Sequence, residues 1–300
     1  MWPRGDIFYF REKFAMPIVK QPTTYEEQIA ILRRHGCIIS DEIDCKDKLA
    51  SIGYYRLSAY FLPFRQDNGN YLVGTTFDTI YRIYEFDRKF RNLLFNALEV
   101  IEISLRSRLS YFHSARYGAL GYEDPANFSS KHNHERFMEN LDRQIASNAK
   151  VPFVKHHKDK YQGHFPIWVA MELFTFGMLS YFYNDLKTAD KKAFARELGA
   201  NYRKLVGWFR CCTDLRNICA HYGRLYHRIF TAAPARLDLD EHDSRRLWGA
   251  VLVVRDLYPS SDKWDFEFIP QIEALIDEYQ HDIDLHHIAF PDNWKDQLFR

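Results

Sequence analysis

Three observations on these 300 residues predict an all-α fold. Alternating β-branched runs hardly occur, capped segments with helical apolar spacing recur from Thr24 onward, and the 43 positions from Thr75 to Tyr117 contain neither Gly nor Pro. Thr24-Tyr25-Glu26-Glu27 has the form of a capping box, followed by Ile29, Ile31 and Leu32, with Gly36 as a left-handed stop. Ser40 or Asp41 caps a second helix that turns Ile43, Leu49 and Ile52 inward and ends at Gly53. Tyr54 to Leu62 reads as an aromatic-rich helix or turn stopped by Pro63, and Gln66 to Gly74 as a turn. Between Thr75 and Tyr117, residues Ile80, Ile83, Tyr84, Leu94, Leu98, Ile101, Leu105 and Leu109 fall near one stripe, which predicts one very long helix or two joined by a kink. Gly118 to Ser130 reads as loop, Lys131 to Ser147 as a charged helix, and Pro166 as the opening of an apolar helix from Ile167 to Phe174, with a bend at Gly177. A short helix near Ala189 to Leu198 is followed by a long helical segment from Asn201 to Arg228, interrupted only by Gly207 and Gly223. Helices from Leu239 to Tyr258 and Phe268 to Gln280 close the chain. Without an internal repeat or low-complexity linker, the pattern gives an N-terminal helical appendage over residues 1–74 and a helical core over residues 75–300, in one continuous domain.

Composition narrows the function. Lys and Arg number 41 against 40 Asp and Glu, a net charge of +1, so a protein that coats nucleic acid with uniform positive charge is excluded. Any polyanion site must be local. The aromatic share of 16% favours a core of large rings over a disordered chain. Five cysteines, an odd number with no C-x-x-C, point to reduced and mostly buried thiols rather than disulfides or a zinc knuckle. No apolar leader opens the chain and no run of about 18 apolar residues appears, so a cytoplasmic protein with no membrane contact is expected.

The densest polar pattern lies between Phe209 and Arg228. On one continuous helix, Arg210, Asp214, Asn217, His221, Arg224 and Arg228 would share a face roughly 80 to 160° from Arg216, with Leu215, Ile218, Cys219, Tyr222, Leu225, Tyr226 and Ile229 packing beside it. Gly223 offers an earlier end to that helix. The plain account of such a stripe is a solvated face with an Asp214–Arg210 pair. Asn and His, however, bring a solvated helix face nothing that Glu, Lys or Gln would not supply better. RNA cleavage without a metal uses these side chains: a proton-transfer group, a fixed cation for phosphorane charge, and an amide to orient the phosphate or hydroxyl. Imidazole titrates in the physiological range, guanidinium is permanently charged, and His221, Arg216 and Asn217 carry these groups. Arg216 points about 140° away from His221 on one helix. A two-fold related copy of the same helix would complete the site.

Arg216-Asn217-Ile218-Cys219-Ala220-His221 resembles the R-N-x-x-x-H signature of the HEPN superfamily of helical, metal-independent ribonucleases. The blocks TTYEEQIAILRRHGCII, IGYYRLSAYFLPFR, GTTFDTIYRIYEFDRKFRNLL, ALEVIEISLRSRL, PIWVAMELFTFGMLSYFYNDL and LRNICAHYGRLYHR are, in this order, similar to the bacterial abortive-infection (Abi) family linked to phage resistance and toxin-like growth arrest. The likeness runs from about Gln21 to Arg228. It implies a HEPN-like helical bundle, a homodimer, no cofactor or metal, and an RNA endonuclease leaving 2′,3′-cyclic phosphate and 5′-hydroxyl ends, restrained by an antitoxin or regulatory RNA. Carried over by position, it makes Arg216 phosphate-binding, Asn217 positioning and His221 the proton-transfer residue. Where the family block continues HHSRLWNR, this chain has HYGRLYHR, so His227 stands in place of an asparagine.

Further substrate contacts are expected from Arg210, Arg224, His227, Arg228 and Glu102. Glu99, Glu102 and Arg106 share a face of the long helix, either as a structural ion-pair row or with a carboxylate that fixes the Arg216 guanidinium. Arg82, Arg88, Lys89, Arg91, Arg106 and Arg108 offer a positive track, with Tyr81 or Tyr84 to stack a base, against interspersed Glu85 and Asp87. His132, His134, His156 and His157 lack metal-ligand spacing and read as exposed polar loop. Walker, G-x-G-x-x-G and G-x-S-x-G motifs are absent. Two rival readings keep the scaffold without catalysis: an RNA-binding or partner-binding protein, and an interaction module whose polar stripe sets dimer register.

Overall fold

The computed structural model describes residues 21–231 and 244–300. Helices are the regular elements of the described residues, with isolated bridges at Ile38–Thr76, Arg65–Tyr71 and Phe128–Leu186 and no strand among them. The leader reading at the N-terminus and the start of the helix expected from Leu239 lie outside the described residues.

The helices of the stretch expected to be an appendage form as their caps dictate. Helix α1 (Tyr25–Arg34) opens on the complete Thr24–Glu27 capping box, and α2 (Glu42–Ile52) is capped by the Asp41 carboxylate and stopped at Gly53, φ 91°. Cys45 and Leu49 are the buried positions of α2; Ile43, expected inward, is exposed, because it sits in the first turn on the opposite side of the helix. Helix α3 (Tyr54–Ser58) is short and passes through a turn at Leu62–Phe64.

The unbroken stretch beyond Thr75 is a single helix, α4 (Phe77–Tyr117, 41 residues), capped by the Thr76 hydroxyl. It is the spine of the molecule. Against it pack α7 (Ile167–Ala170), α8 (Phe176–Asp185), α10 (Tyr202–Ala220), α11 (Leu247–Leu257) and α12 (Ile269–Tyr279). Its apolar stripe is buried from Ile80 to Leu109, with Tyr84 half-buried. Around the spine run α5 (His134–Ser147), α6 (Pro152–Lys160), α9 (Thr188–Glu197) and the terminal α13 (Trp294–Leu298).

Several local expectations are corrected. Gly177 is the second residue of α8 rather than a bend; the break falls at Phe174 and the cap at Thr175, and a Cβ on Gly177 would meet Thr213 of α10 at 3.8 Å. The histidines are not a polar loop: the His132 ring is buried, stacked on Phe128 at 4.1 Å and bonded to Asp185 at 3.0 Å, while His156 and His157 lie on α6. Among the described residues no group of three His, Cys, Asp or Glu could hold a metal ion, and no helix is long and apolar enough to cross a membrane. All five cysteines are free and buried.

His113, fully buried on α4, packs between Tyr117, Phe128 and Phe182, and neither ring nitrogen has a hydrogen-bond partner. Burial pulls its pKa down to about 4, opposed by the Asp190 charge. Above pH 6.5 both folded and unfolded states hold it neutral. As pH falls below that value the unfolded chain gains a proton that the folded one refuses, so stability is lost down to about pH 4. Denaturant melts of the wild type and His113→Leu should show their stability difference shifting by about 2 kcal/mol in favour of the variant between pH 7 and pH 5. A constant difference would show that the ring protonates freely in the fold.

Candidate functional site

Helix α10 carries the motif, and its placement follows from its two faces. Leu205, Phe209, Cys212, Leu215 and Cys219 bury one side against the spine and α8, leaving Arg210, Asn217 and His221 exposed and Asp214 half-exposed on the other. Arg210 and Asp214 line a cleft with Tyr181 and Thr213 between α8 and α10. The side chains of Asn217 and His221 make no hydrogen bond, ion pair or ring contact among the described residues. His221 is the C-cap, and its backbone N–H donates to the Asn217 carbonyl at 3.0 Å.

The helix does not continue to Arg228. It ends at Ala220, where the N–H of Gly223 donates to the Ile218 carbonyl at 2.7 Å and that of Tyr222 to Cys219 at 3.2 Å, the paired bonds of a Schellman turn. Tyr222 occupies the left-handed position with φ 57°. Gly223 fits closely next, since a Cβ there would lie 3.0 Å from Ile218 Cγ2 and 3.2 Å from its carbonyl oxygen. The chain then folds back, which removes Arg224 and Arg228 from the expected stripe. Arg224 Nη1 donates to the Ala59 carbonyl of the appendage, and Arg228 Nη1 to the Arg224 carbonyl at 3.3 Å. Burial lowers the Arg224 pKa. His227, with φ 53°, packs its half-buried ring edge-on to His287, and burial, then Arg246, His287 and Arg224, hold its pKa below 6.5. Arg224 is thereby a fold contact rather than an open substrate contact. Tyr222 and Ile229, expected to pack, are exposed for the same reason.

Arg216 is turned the other way, toward the spine. Its Nε lies 3.6 Å from Glu102 Oε2 and its guanidinium 6.0 Å from the Phe95 ring. Glu102 also accepts from Arg106 Nη2 at 2.7 Å, and Arg106 donates onward to the carbonyls of Met171, Glu172 and Phe174 at the break between α7 and α8. The cleft around Arg216 is lined by Phe95, Glu99, Glu102, Ile103, Arg106 and Glu172, three carboxylates against two guanidinia counting Arg216, and contains neither Asn217 nor His221. The structure thus joins Arg216 to Glu102, as the shared-face reading allowed, and within one chain separates Arg216 from His221.

The positive track along α4 is neutralised. Arg82 pairs with Asp282 at 3.0 Å, Arg88 with Glu85 at 2.8 Å, Lys89 with Glu278 at 2.6 Å, Arg91 with Asp87, and Arg106 with Glu102. Such pairing leaves Arg108 as the exposed cation of that group without an ion pair among the described residues.

Sequence reasoning missed the group that holds the motif turn in place. The buried Asp87 carboxylate accepts from the N–H of Leu225 at 3.0 Å and of Tyr226 at 2.7 Å, from the Tyr60 hydroxyl at 2.6 Å, and from Arg91 Nη1. Burial raises the pKa of this carboxyl, opposed by the Arg91 charge and those donors. Arg91 also reaches the Gly223 carbonyl at 3.3 Å, and Arg56 of α3 donates to the Tyr222 carbonyl at 2.6 Å. The signal was available: Asp87 stands four residues after Ile83 and seven before Leu94, a carboxylate in the apolar register of the stripe.

No curated protein and no solved structure matches the chain. A family model described as Abi-like protein matches residues 47–227, a span that begins in α2 and ends just past the motif turn. The match takes in more than half of the sequence and includes the spine, the α10 face and the Asp87 anchor, and on it the chain belongs to the Abi-like protein family.

Proposed function

We propose that this protein is a metal-independent RNA endonuclease of the HEPN type that acts in the cytoplasm, in phage defence or as a toxin, under the restraint of an antitoxin or regulatory RNA. The observation that carries this reading is the pair Asn217 and His221, which stand exposed and without side-chain partners among the described residues at the end of α10 while Arg216 beside them is held by Glu102. In this reading His221 removes the ribose 2′-hydroxyl proton, and the 2′ oxygen attacks phosphorus. A guanidinium meets the phosphorane charge, and the 5′ oxygen leaves as it takes a proton from the second copy's His221. Asn217 orients the phosphate. Because Arg216 faces away from His221 within one chain, the reading requires a homodimer in which His221 of one copy meets Arg216 of the other.

A second reading, a non-catalytic RNA-binding protein, draws on the same separation of Arg216 from His221 and on the carboxylates around Arg216. End chemistry decides between them. Purified protein incubated with single-stranded RNA in EDTA should yield fragments with 2′,3′-cyclic phosphate and 5′-hydroxyl ends. Salt-sensitive binding without new ends would establish the second reading, and 3′-hydroxyl products would exclude attack by the 2′ oxygen.

A further inference from the structure

The residue after His221 is built at odds with its backbone. A left-handed position at a helix end is usually glycine, since a Cβ there crowds the following carbonyl. This chain has a glycine in the turn, but one residue late, at Gly223, where the close approach to Ile218 favours it. The left-handed position itself holds Tyr222. Four residues other than glycine have positive φ among the described residues: Gln162, Tyr222, His227 and Ala289. His227 recovers contact with His287, and Ala289 has a small side chain. Tyr222 is a bulky ring 69% exposed. Its hydroxyl makes no hydrogen bond and its ring touches no other ring among the described residues, so packing does not account for it.

The backbone that presents this ring is fixed. Arg56 holds the Tyr222 carbonyl at 2.6 Å and Arg91 the Gly223 carbonyl at 3.3 Å, while Asp87 clamps the next two amides. A solvent-exposed ring carried on that fixed backbone, one residue after His221, offers an open face to a flat partner. Every nucleobase has such a face, and stacking on an aromatic side chain tolerates any base.

We infer that the Tyr222 ring is the stacking platform for the base next to the linkage that His221 attacks. This inference rests on the nuclease reading. Drawing one base out of its stack frees the adjoining ribose-phosphate to bring its 2′ oxygen in line with phosphorus, whereas paired bases offer Tyr222 no open face.

The test uses the full-length His221→Ala protein, so that RNA survives the measurement, together with Tyr222→Gly and Tyr222→Phe made in that background. The probes are a fluorescent 12-nucleotide oligouridylate, the same strand with single abasic sites scanned along it, and an RNA duplex. Tyr222→Gly should raise the melting temperature by about 2–4 °C as the left-handed strain is relieved. Its affinity for the oligouridylate should fall by about 5- to 150-fold, the range of one base–aromatic stack. Tyr222→Phe should keep the affinity, and duplex binding should change in neither. One abasic position should weaken binding to the Tyr222 protein and have no effect on the glycine variant, a coupling that a merely structural role would not produce. If the parent binds the strand and Tyr222→Gly binds it equally well, or if the two losses simply add, the inference falls and the nuclease reading stands. If the parent binds no RNA, that reading falls and takes the inference with it.

Discussion

Replacing His221 by alanine is expected to lower the rate of RNA cleavage in EDTA by about 10²- to 10⁴-fold, the usual contribution of a positioned proton-transfer group, without lowering the melting temperature. The second half of that expectation comes from the cap geometry. His221 has φ −98° and ψ 18°, which alanine adopts freely, and it supplies the helix end through its backbone N–H alone. Its ring is exposed and bonded to nothing among the described residues, so its removal belongs with surface substitutions that shift stability by less than about 0.5 kcal/mol. Measured together, cleavage rate and thermal melt separate chemistry from folding. Undiminished cleavage by the variant would remove His221 from the mechanism.

How much of this was legible in the sequence depended on the range of the forces involved. Local signals read true: the Thr24–Glu27 box, the Gly53 stop and the unbroken α4 stripe are each decided within a few residues of chain. The pairing of Glu102 with Arg216 was also open to reading, since a half-buried guanidinium on α10 needs a carboxylate and the long helix offers two on one face. The end of α10 was not. Gly223 was the one stop in view, but periodicity carried the stripe through it to Arg228, because a left-handed tyrosine at 222 is what propensity argues against. The turn is fixed from outside, by Asp87 and Arg91 on the spine and Arg56 on the appendage, residues more than a hundred positions upstream. Such contacts leave a sequence trace only as charges in an apolar register; Asp87 carries that trace, but among the neighbouring cations it reads first as a carboxylate opposing a basic track.

That anchor carries the largest stability effect expected in the molecule. Asp87→Ala strips the carboxylate from the buried Arg91, leaves the Tyr60 hydroxyl without its acceptor and orphans the Leu225 and Tyr226 amides. Breaking one side of a buried ion pair costs about 3–5 kcal/mol, which for a chain of this size corresponds to a fall in melting temperature of roughly 10 °C. Asp87→Asn keeps an acceptor for the two amides but removes the charge facing Arg91, and should fall between wild type and alanine. Replacing Asp87 and Arg91 together by Leu and Met should recover part of the loss, because well-packed apolar side chains can replace a buried pair at little cost. Recovery stays incomplete while the two amides lack a partner. Hydrogen exchange locates the damage: protection at Leu225 and Tyr226 should drop in all three proteins, most in the two that lack any acceptor. Cleavage should follow that protection rather than the melting temperature, since the same turn sets the direction of His221 and Tyr222. A double variant restored in stability yet still inactive would place Asp87 as a positioning residue for the motif turn, and an alanine variant that melts with the wild type would show that the amides and Arg91 find other partners.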